Sequence, residues 1–274
     1  MRIAVLCDNE PAQAYFIRRL AAEHDVAGIV VDQRYDAADR LRRLWRASGK
    51  SLPRLLGNVA RKARLVADER SEWKVRRQYF PDGTRPSELA LAEIHLSRNI
   101  NTTATLAFIR GKKPELLAVF GTRLLKESLI RAAPRGALNL HTGLSPYYRG
   151  GHSTFFCLYN NEPQYIGATV HNSDPGIDSG GLLRTARPAI EAGDGLASLE
   201  CKVALLGIEL MATALREVGA GTAQSVPQWT EGRLYYSRDY TLARRLELRR
   251  RLAEGLLREY LARPQRRDDV RLVP

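Results

Sequence analysis

The chain has 274 residues, 44% of them hydrophobic, which is enough to bury a sizeable core. Its 43 lysine and arginine residues outnumber 30 aspartate and glutamate residues, giving a formal net charge of +13. This balance favours anionic partners, although a solvated basic surface explains it equally well. Three widely spaced cysteines argue against a disulfide framework and a structural zinc site, and no stretch reaches the roughly 20 apolar residues of a membrane helix. We therefore expect a cytoplasmic protein that uses no metal.

The N-terminal part of the chain predicts a β-α-β unit. Apolar runs at 1–7 and 26–31 flank a segment, 12–22, whose apolar residues recur at helical spacing. This order indicates an α/β fold with a mostly parallel, Rossmann-like sheet and helices on both faces. The turn at 8–11 is not glycine-rich, so it lacks the backbone cradle of dinucleotide enzymes and NTPases. The first run is also too short for a secretory signal.

We expect one main domain at residues 1–225. A strongly basic helical insertion at about 34–80 interrupts it, and this insertion either packs on the domain or faces a partner. Within the domain, residues 197–218 have the apolar stripe of a long helix, which Gly219 is predicted to end.

A small C-terminal appendage is predicted at residues 226–274. It comprises a hairpin around 228–236, one basic helix at 241–261 and a loose polar tail. A terminal helix behind a hairpin is typical of association, so a homodimer is an expectation for this chain.

An amide, an imidazole and a carboxylate fall at predicted strand ends. Asn139 and His141 are two apart on the strand predicted at 137–141, so their side chains share one face. Asp178 lies in the loop after the next predicted strand, 166–171, and we expect both strands to present carboxyl ends to one site. A carboxylate raises the pKa of a nearby imidazole. Amide and imidazolium groups donate hydrogen bonds to an oxyanion, and one such donor can accelerate a reaction by about 10²–10³-fold. These groups suit acyl transfer to an amine.

No serine or cysteine is placed as a covalent nucleophile. Ser145 and Ser153 lack the GxSxG pattern of a nucleophile elbow. Cys7, Cys157 and Cys201 lie in apolar runs typical of small core residues. We therefore expect direct attack by the acceptor amine.

The polar strand and loop carry the motifs of a known family. The pattern NxHxSLLPxxxG followed by GxTxHxxxxxxDxG is matched, with two departures, by Asn139 to Gly150 and by Gly167 to Gly180. Over about residues 113–183 the chain thus resembles the folate-dependent formyltransferases. The resemblance implies a reaction in which 10-formyltetrahydrofolate gives its formyl group to an amine.

The resemblance also implies roles for single residues. Asn139 and His141 would stabilise the oxyanion and transfer protons, with Asp178 as orienting carboxylate or base. The segment 120–125 matches the one whose backbone binds the pterin, and the loop at 174–177 would cover its other side. The implied cofactor residues are Gly121, Thr122, Arg123, Leu125, Asp174, Gly176 and Ile177. Asp174 and the loop glycines also fit a purely turn-forming role.

Departures from the family pattern narrow the choice of the acceptor amine. The chain has Gly143 to Pro146 where the family commonly has SLLP. It lacks the phosphate loop of the members that formylate glycinamide ribonucleotide and the barrel domain of methionyl-tRNA formyltransferases. The remaining features of the chain resemble those of the family members that formylate amino sugars on nucleotide carriers. The acceptor residues expected on this basis are Tyr148, Arg149, Gly150, His152 and His171.

Other acceptors and one other class of protein stay open at this point. His152 and His171 also fit purely structural roles. Methionyl-tRNA or hydroxyornithine could be the amine, and the basic segments would suit a nucleic-acid-binding protein on a degenerate scaffold. The complete set of Asn139, His141 and Asp178 favours an enzyme acting on a small, anionic, nucleotide-linked amine.

Overall fold

The computed structural model describes residues 1–33, 71–263 and 269–274. The strands are β1 (Arg2–Cys7), β2 (Asp25–Asp32), β3 (Ile94–Ser97), β4 (Leu116–Phe120), β5 (Ala137–His141), β6 (Tyr148–Gly150), β7 (Ala168–Asn172), β8 (Leu182–Ala186) and β9 (Arg233–Tyr235). The α-helices are α1 (Pro11–Ala21), α2 (Thr103–Lys112), α3 (Glu127–Ile130), α4 (Ser153–Tyr159), α5 (Leu196–Ala220), α6 (Leu242–Ala253) and α7 (Leu256–Leu261). Residues 71–79 are also helical, and the rest of the predicted basic insertion, 34–70, lies outside the described residues. No helix in this part of the chain has the length and apolarity that crossing a bilayer requires.

Seven of these strands form one sheet in the order β3-β2-β1-β4-β5-β7-β8. The pairs from β3 to β5 are parallel, whereas β7 runs antiparallel to both β5 and β8. A separate pair is formed by β6 and β9.

Strand β1 illustrates why helices cover both faces of the sheet. Ile3, Val5 and Cys7 belong to one buried cluster, together with side chains of α1 and α5. Ala4 and Leu6 belong to a second cluster, with side chains of α2 and α3. Because side chains alternate along a strand, a continuous apolar run is buried on both sides, as is typical of parallel strands between helix layers. The predicted α/β fold with a mostly parallel sheet is confirmed.

Helix α5 lies directly on the sheet beside the antiparallel strands. A Cβ atom at Gly207 would come within 2.4 Å of the Leu140 side chain and 3.0 Å of that of Ala168, so glycine permits the close approach. The helix ends at Gly221, whose φ of 72° is left-handed, and not at the predicted Gly219.

The C-terminal segment departs from the sequence prediction in three places. Residues 228–236 do not form a hairpin, because β9 pairs in parallel with β6. The predicted single basic helix is broken at Gly255, whose φ of 102° separates α6 from α7. The tail is not loose at residues 269–274: Val273 is buried, and its carbonyl accepts a hydrogen bond from the Thr185 amide at 2.8 Å.

All three cysteines are buried free thiols, as predicted. Cys7, Cys157 and Cys201 belong to the larger of the two clusters. Burial raises the pKa of the Cys201 thiol to about 11, with a smaller lowering by Arg76. The thiolate form, which would be the nucleophile, is therefore disfavoured.

Candidate functional site

Strands β5 and β7 bring two polar side chains into contact within the sheet. Asn139 and His171 are register partners across the antiparallel pair, and Nδ2 of Asn139 lies 3.1 Å from Nε2 of His171. Nδ1 of His171 lies 2.8 Å from the carbonyl of Asn172. His141 ends β5 two residues beyond Asn139, so its side chain emerges on the same face.

The carboxylate of Asp178 contacts all three of these side chains. Its Oδ1 accepts a hydrogen bond from Nδ2 of Asn139 at 3.3 Å and lies 3.3 Å from Nε2 of His171. Its Oδ2 lies 3.4 Å from Nδ1 of His141 and accepts a hydrogen bond from the Gly150 amide at 2.8 Å. The side chain of Asp178 is 14% exposed.

The route by which Asp178 reaches the site differs from the prediction. We expected its loop to follow a parallel strand, but β7 is antiparallel, and its last residue, Asn172, pairs with Leu138 near the start of β5. The loop then turns back so that Asp178 meets His141 at the other end of β5. Asp178 itself has a left-handed φ of 47°, which is uncommon outside glycine and is tolerated by aspartate.

The electrostatics of the site keep Asp178 ionised. Burial alone would raise the pKa of this carboxyl group. The charge of His141, the hydrogen bond and charge of His171 and the Gly150 amide together lower the pKa by more than burial raises it. The pKa is therefore held below its usual range, and the carboxylate can accept hydrogen bonds throughout the neutral pH range.

The second ring nitrogen of His141 is also fixed. Nε2 lies 3.1 Å from the carbonyl oxygen of Tyr148 and 3.3 Å from Oγ of Ser153. A Cβ atom at Gly143 would lie 2.2 Å from Nε2 of His141 and 2.6 Å from Oγ of Ser153. The Ser153 hydroxyl thus fills the space that a side chain at 143 would need. The sequence analysis excluded Ser153 as a nucleophile and did not predict its contact with His141. The signal for this contact was Gly143, which stands where the family commonly has serine.

A cavity of about 710 Å³ opens beside this cluster. Asn139, His141, His171 and Asp178 line its inner part. All seven predicted cofactor residues also line it, namely Gly121, Thr122, Arg123, Leu125, Asp174, Gly176 and Ile177. The structure thus brings the predicted catalytic and cofactor residues to one cavity, while their roles stay predictions.

The segment after β4 is fixed by a buried ion pair that the sequence did not reveal. Asp32, at the end of β2, is fully buried, and its carboxylate accepts hydrogen bonds from Nη2 of Arg123 at 2.8 Å and Nε at 3.1 Å. It also accepts from the Arg123 backbone amide at 3.0 Å. Arg123 therefore holds the conformation of its own segment against β2.

Asp174 makes the contacts of a turn-forming residue. Its Oδ1 accepts hydrogen bonds from the Gly176 amide at 3.1 Å and from the Ser179 hydroxyl at 2.8 Å. Both contacts stay within the loop, as expected if Asp174 stabilises a turn. Asp174 also lines the cavity.

The predicted acceptor residues divide into two groups. Gly150, His152 and His171 line the cavity, whereas Tyr148 and Arg149 do not. Tyr148 is buried, and its hydroxyl donates to Glu162 and accepts from Asn160 at 2.8 Å. Only its backbone carbonyl reaches the site, at His141. The ring of His152 stacks on Tyr240 at 3.9 Å between centroids.

Two exposed aromatic rings lie on the cavity wall and were not predicted. Trp73, from the helical residues 71–79, is 36% exposed, and Tyr236, after β9, is 41% exposed. The guanidinium carbon of Arg77 lies 5.8 Å from the centroid of the Trp73 ring, and that of Arg238 lies 4.6 Å from that of Tyr236. Exposed aromatic side chains in a concave site are typical of ligand contacts.

An ion pair also lines the cavity. Nη2 of Arg76 lies 2.7 Å from Oε2 of Glu200, and both residues belong to the cavity lining. Burial raises the pKa of Glu200 to about 6, and the charge of Arg76 only partly opposes that rise. The cavity lining therefore includes a carboxyl group with a raised pKa.

The fold and the site together define the class of protein. It is an α/β protein in which an amide, two imidazoles and a carboxylate line a cavity beside a mostly parallel sheet. The formyl transferase family model matches residues 59–215, which is more than half of the chain. The chain therefore belongs to the formyl transferase family, as its motifs predicted.

Individual relatives agree with this family. The chain is 33% identical over 146 residues to the methionyl-tRNA formyltransferase of Pelobacter propionicus, and the match covers 52% of this chain and 45% of that protein. Matches to curated relatives thus extend over about half of each protein.

Solved structures share the fold at low identity. A sugar N-formyltransferase from a Shewanella species superimposes with a TM-score of 0.57 at 17% identity, covering 90% of this chain and 86% of that one. The N-formyltransferase from Helicobacter canadensis, in complex with folinic acid and dTDP-3-aminofucose, gives a TM-score of 0.54 at 15% identity, covering 88% and 73%.

Proposed function

We propose that this chain is an N-formyltransferase that moves a formyl group from 10-formyltetrahydrofolate to a primary amine on a nucleotide-linked amino deoxysugar. The observation that carries the proposal is the Asp178 carboxylate in contact with Asn139, His141 and His171 at the inner end of the cavity. An amide, imidazoles and an ionised carboxylate are the groups that transfer of an acyl group to an amine requires.

The residues around the cavity fit a folate donor. Gly121 has a φ of 78° and turns the chain at the end of β4, where a Cβ atom would lie 2.9 Å from Nε2 of Gln13. The turn lays segment 121–125 along one wall, and the loop 174–177 supplies another. Two backbone segments facing one cavity suit a flat heterocycle such as a pterin, whose edge carries both donors and acceptors. The Helicobacter canadensis protein of the same fold holds folinic acid.

His141 has polar neighbours at both ring nitrogens. Nε2 lies 3.1 Å from the carbonyl of Tyr148 and 3.3 Å from the Ser153 hydroxyl, and Nδ1 lies 3.4 Å from the carboxylate of Asp178. When the ring is protonated, it can stabilise negative charge that develops on a nearby oxygen.

Asn139 and Asp178 complete the chemistry. Nδ2 of Asn139 donates to Asp178 and lies beside His171, and because Asn139 also lines the cavity, its amide can turn an N–H group to the oxygen of a formyl group bound there. When bound, 10-formyltetrahydrofolate supplies the formyl carbon, and exchange of its C–N bond for one to the acceptor amine moves one proton from that amine to the departing nitrogen. Asp178, which stays ionised beside His141, assists this transfer by stabilising the positive charge that develops on the attacking amine.

The outer wall of the cavity supports a nucleotide-linked acceptor. Trp73 and Tyr236 offer exposed rings on which a base can stack, and stacking of this kind contributes about 1–3 kcal/mol per base. Arg77 and Arg238 lie over these rings and supply the positive charge that phosphate groups require.

Methionyl-tRNA is the second candidate acceptor. The 33% identity to a methionyl-tRNA formyltransferase and the net charge of +13 favour it. The exposed rings of Trp73 and Tyr236 on the cavity wall favour a nucleotide-linked amine, which is the acceptor that we propose.

The test is an acceptor screen with the purified chain. The protein is mixed with 10-formyltetrahydrofolate and a panel of nucleotide-linked amino sugars, charged initiator tRNA and hydroxyornithine, and release of tetrahydrofolate is followed. Turnover with an amino sugar nucleotide supports the proposal. Turnover with the charged tRNA or hydroxyornithine alone overturns the acceptor, and no turnover with any of them overturns the activity.

A further inference from the structure

The chain beyond the family match forms a short segment across the Asp178 loop. We call residues 226–235 the strap. It begins with two backbone hydrogen bonds of 2.8 Å between Val226 and Leu182, the first residue of β8. It ends with β9, which pairs with β6. The strap therefore touches both sides of the loop that carries Asp178.

Gln228 is the strap residue that reaches this loop. Its Nε2 donates hydrogen bonds to the carbonyl of Asp178 at 2.7 Å and to that of Gly180 at 2.9 Å. Its Oε1 is buried and has no hydrogen-bond partner within the described part of the chain. The two carbonyls thus fix the orientation of the amide, because a flipped amide would place an oxygen against both.

These hydrogen bonds hold the backbone where Asp178 has its left-handed conformation. The φ of 47° directs the Asp178 carboxylate toward His141 and the Gly150 amide. Such a conformation is costly for a residue with a side chain and persists only where neighbouring contacts determine it. Gln228 supplies two of those contacts.

The other end of the strap holds the partners of Asp178. A Cβ atom at Gly150 would lie 2.1 Å from the carbonyl oxygen of Tyr235, and one at Gly232 would lie 1.6 Å from that of Pro146. The strap therefore packs backbone to backbone against β6, which presents the Gly150 amide to Asp178 and the Tyr148 carbonyl to His141.

We propose that Gln228 is a positioning residue that acts through Asp178, and that the strap completes the site from outside the segment matched by the family model. This inference rests on the proposed function only because formyl transfer is the reaction whose kcat is measured. Gln228 does not line the cavity, so it acts on the carboxylate and not on a ligand.

The test replaces the amide by side chains of similar length without its N–H groups. In Gln228→Met and Gln228→Glu, kcat is expected to fall about 10²-fold while KM for donor and acceptor changes less than about three-fold, since displacing a reacting group by about 1 Å has an effect of this size. Gln224→Met, which changes an exposed glutamine two residues before the strap, is the matched control and keeps its kcat.

Two further readouts separate positioning from general destabilisation. In an Asp178→Asn background, Gln228→Met is expected to lower kcat by less than two-fold, because both changes act on one group. Hydrogen exchange of residues 173–181 is expected to rise in the Gln228 variants and not in Gln224→Met, whether or not turnover is measured.

The outcomes are distinct from those of the proposed function. If the parent protein turns over and both folded Gln228 variants keep its kcat, the positioning role is overturned. Equal losses in the parent and Asp178→Asn backgrounds overturn it too. If the parent protein has no formyl transfer activity at all, the proposed function fails. The positioning role is then tested by hydrogen exchange alone. It is overturned if residues 173–181 exchange at the same rate in the parent and in a folded Gln228 variant.

Discussion

Oδ2 of Asp178 lies 3.4 Å from Nδ1 of His141, and the opposite nitrogen of that ring lies 3.1 Å from the Tyr148 carbonyl. The imidazole is thus held between a charged and a neutral acceptor. This arrangement fixes the ring orientation. The mechanism that we propose therefore depends on the carboxylate.

Replacing the carboxylate by an amide should abolish most activity. Asp178→Asn keeps the shape but loses the negative charge beside His141, so kcat is expected to fall by about 10³-fold. Asp25→Asn, an exposed carboxylate paired with Arg2, is the control. Steady-state rates of tetrahydrofolate release measure both variants. A kcat for Asp178→Asn within ten-fold of the parent would remove Asp178 from the mechanism.

A side chain at Gly143 should displace His141. Gly143→Ala places a Cβ atom 2.2 Å from Nε2 of His141, so the ring or the strand must move, and kcat is expected to fall about 10–100-fold. Gly193→Ala, where no atom lies within 4 Å of the added carbon, should leave kcat unchanged. Kinetics of the two purified variants decide, and parent-like activity of Gly143→Ala would show that the contact has no catalytic consequence.

Loss of the buried partner of Arg123 should weaken donor binding. In Asp32→Asn the guanidinium loses a charged acceptor, and segment 121–125 loses its anchor on β2. KM for the folate is expected to rise about ten-fold, and the free energy of unfolding to fall by about 1–3 kcal/mol. Folate titrations and denaturant unfolding measure the two effects. An unchanged KM together with reduced stability would limit Asp32 to a structural role.

The exposed rings should matter for the acceptor and not for the donor. Trp73→Ala removes a stacking surface, so KM for a nucleotide-linked acceptor is expected to rise about ten-fold while KM for the folate stays constant. Tyr15→Ala, which removes an equally exposed ring outside the cavity lining, is the control. Acceptor saturation curves provide the measurement, and equal KM values for Trp73→Ala and the parent would count against base stacking at this wall.

Glu200 should give the protein a distinctive pH dependence of stability. Burial raises its pKa to about 6, above the ordinary value of 4.5, although Arg76 opposes the rise. Between these pH values the folded protein binds more protons than the unfolded chain, so the free energy of unfolding falls as the pH rises. The fall between pH 4 and 8 is expected to be about 2 kcal/mol, and Glu200→Gln should remove it. Urea unfolding of parent and variant from pH 4 to 8 measures it, and parallel curves would contradict the raised pKa.

The sequence was most informative where chemistry and local pattern coincide. Asn139 and His141 are two apart on one strand, so alternation alone predicts that they share a face. Asp178 lies in a loop rich in turn residues, and the motif spacing linked it to the strand. The apolar runs on either side of a segment with helical spacing likewise predicted the α/β fold.

What the sequence did not reveal depends on contacts between distant segments. Ser153 reaches His141 from the first residue of α4, and Gln228 reaches the Asp178 carbonyl from a part of the chain with no recognisable motif. The parallel pairing of β9 with β6 could not be read from a segment that looks like a hairpin, since strand partners are set by packing and not by local propensity. Asp32 appeared only as the end of a strand.

The most direct measurement follows the formyl group itself. Donor carrying an isotope-labelled formyl carbon is mixed with a nucleotide-linked amino sugar and either the parent protein or Asp178→Asn, and the acceptor is analysed by mass spectrometry and NMR. We predict labelled formamide on the sugar nitrogen with the parent, and a rate about 10³-fold lower with the variant. Labelled product at equal rates in both proteins, or no label on the acceptor with the parent, would contradict formyl transfer at Asn139, His141 and Asp178.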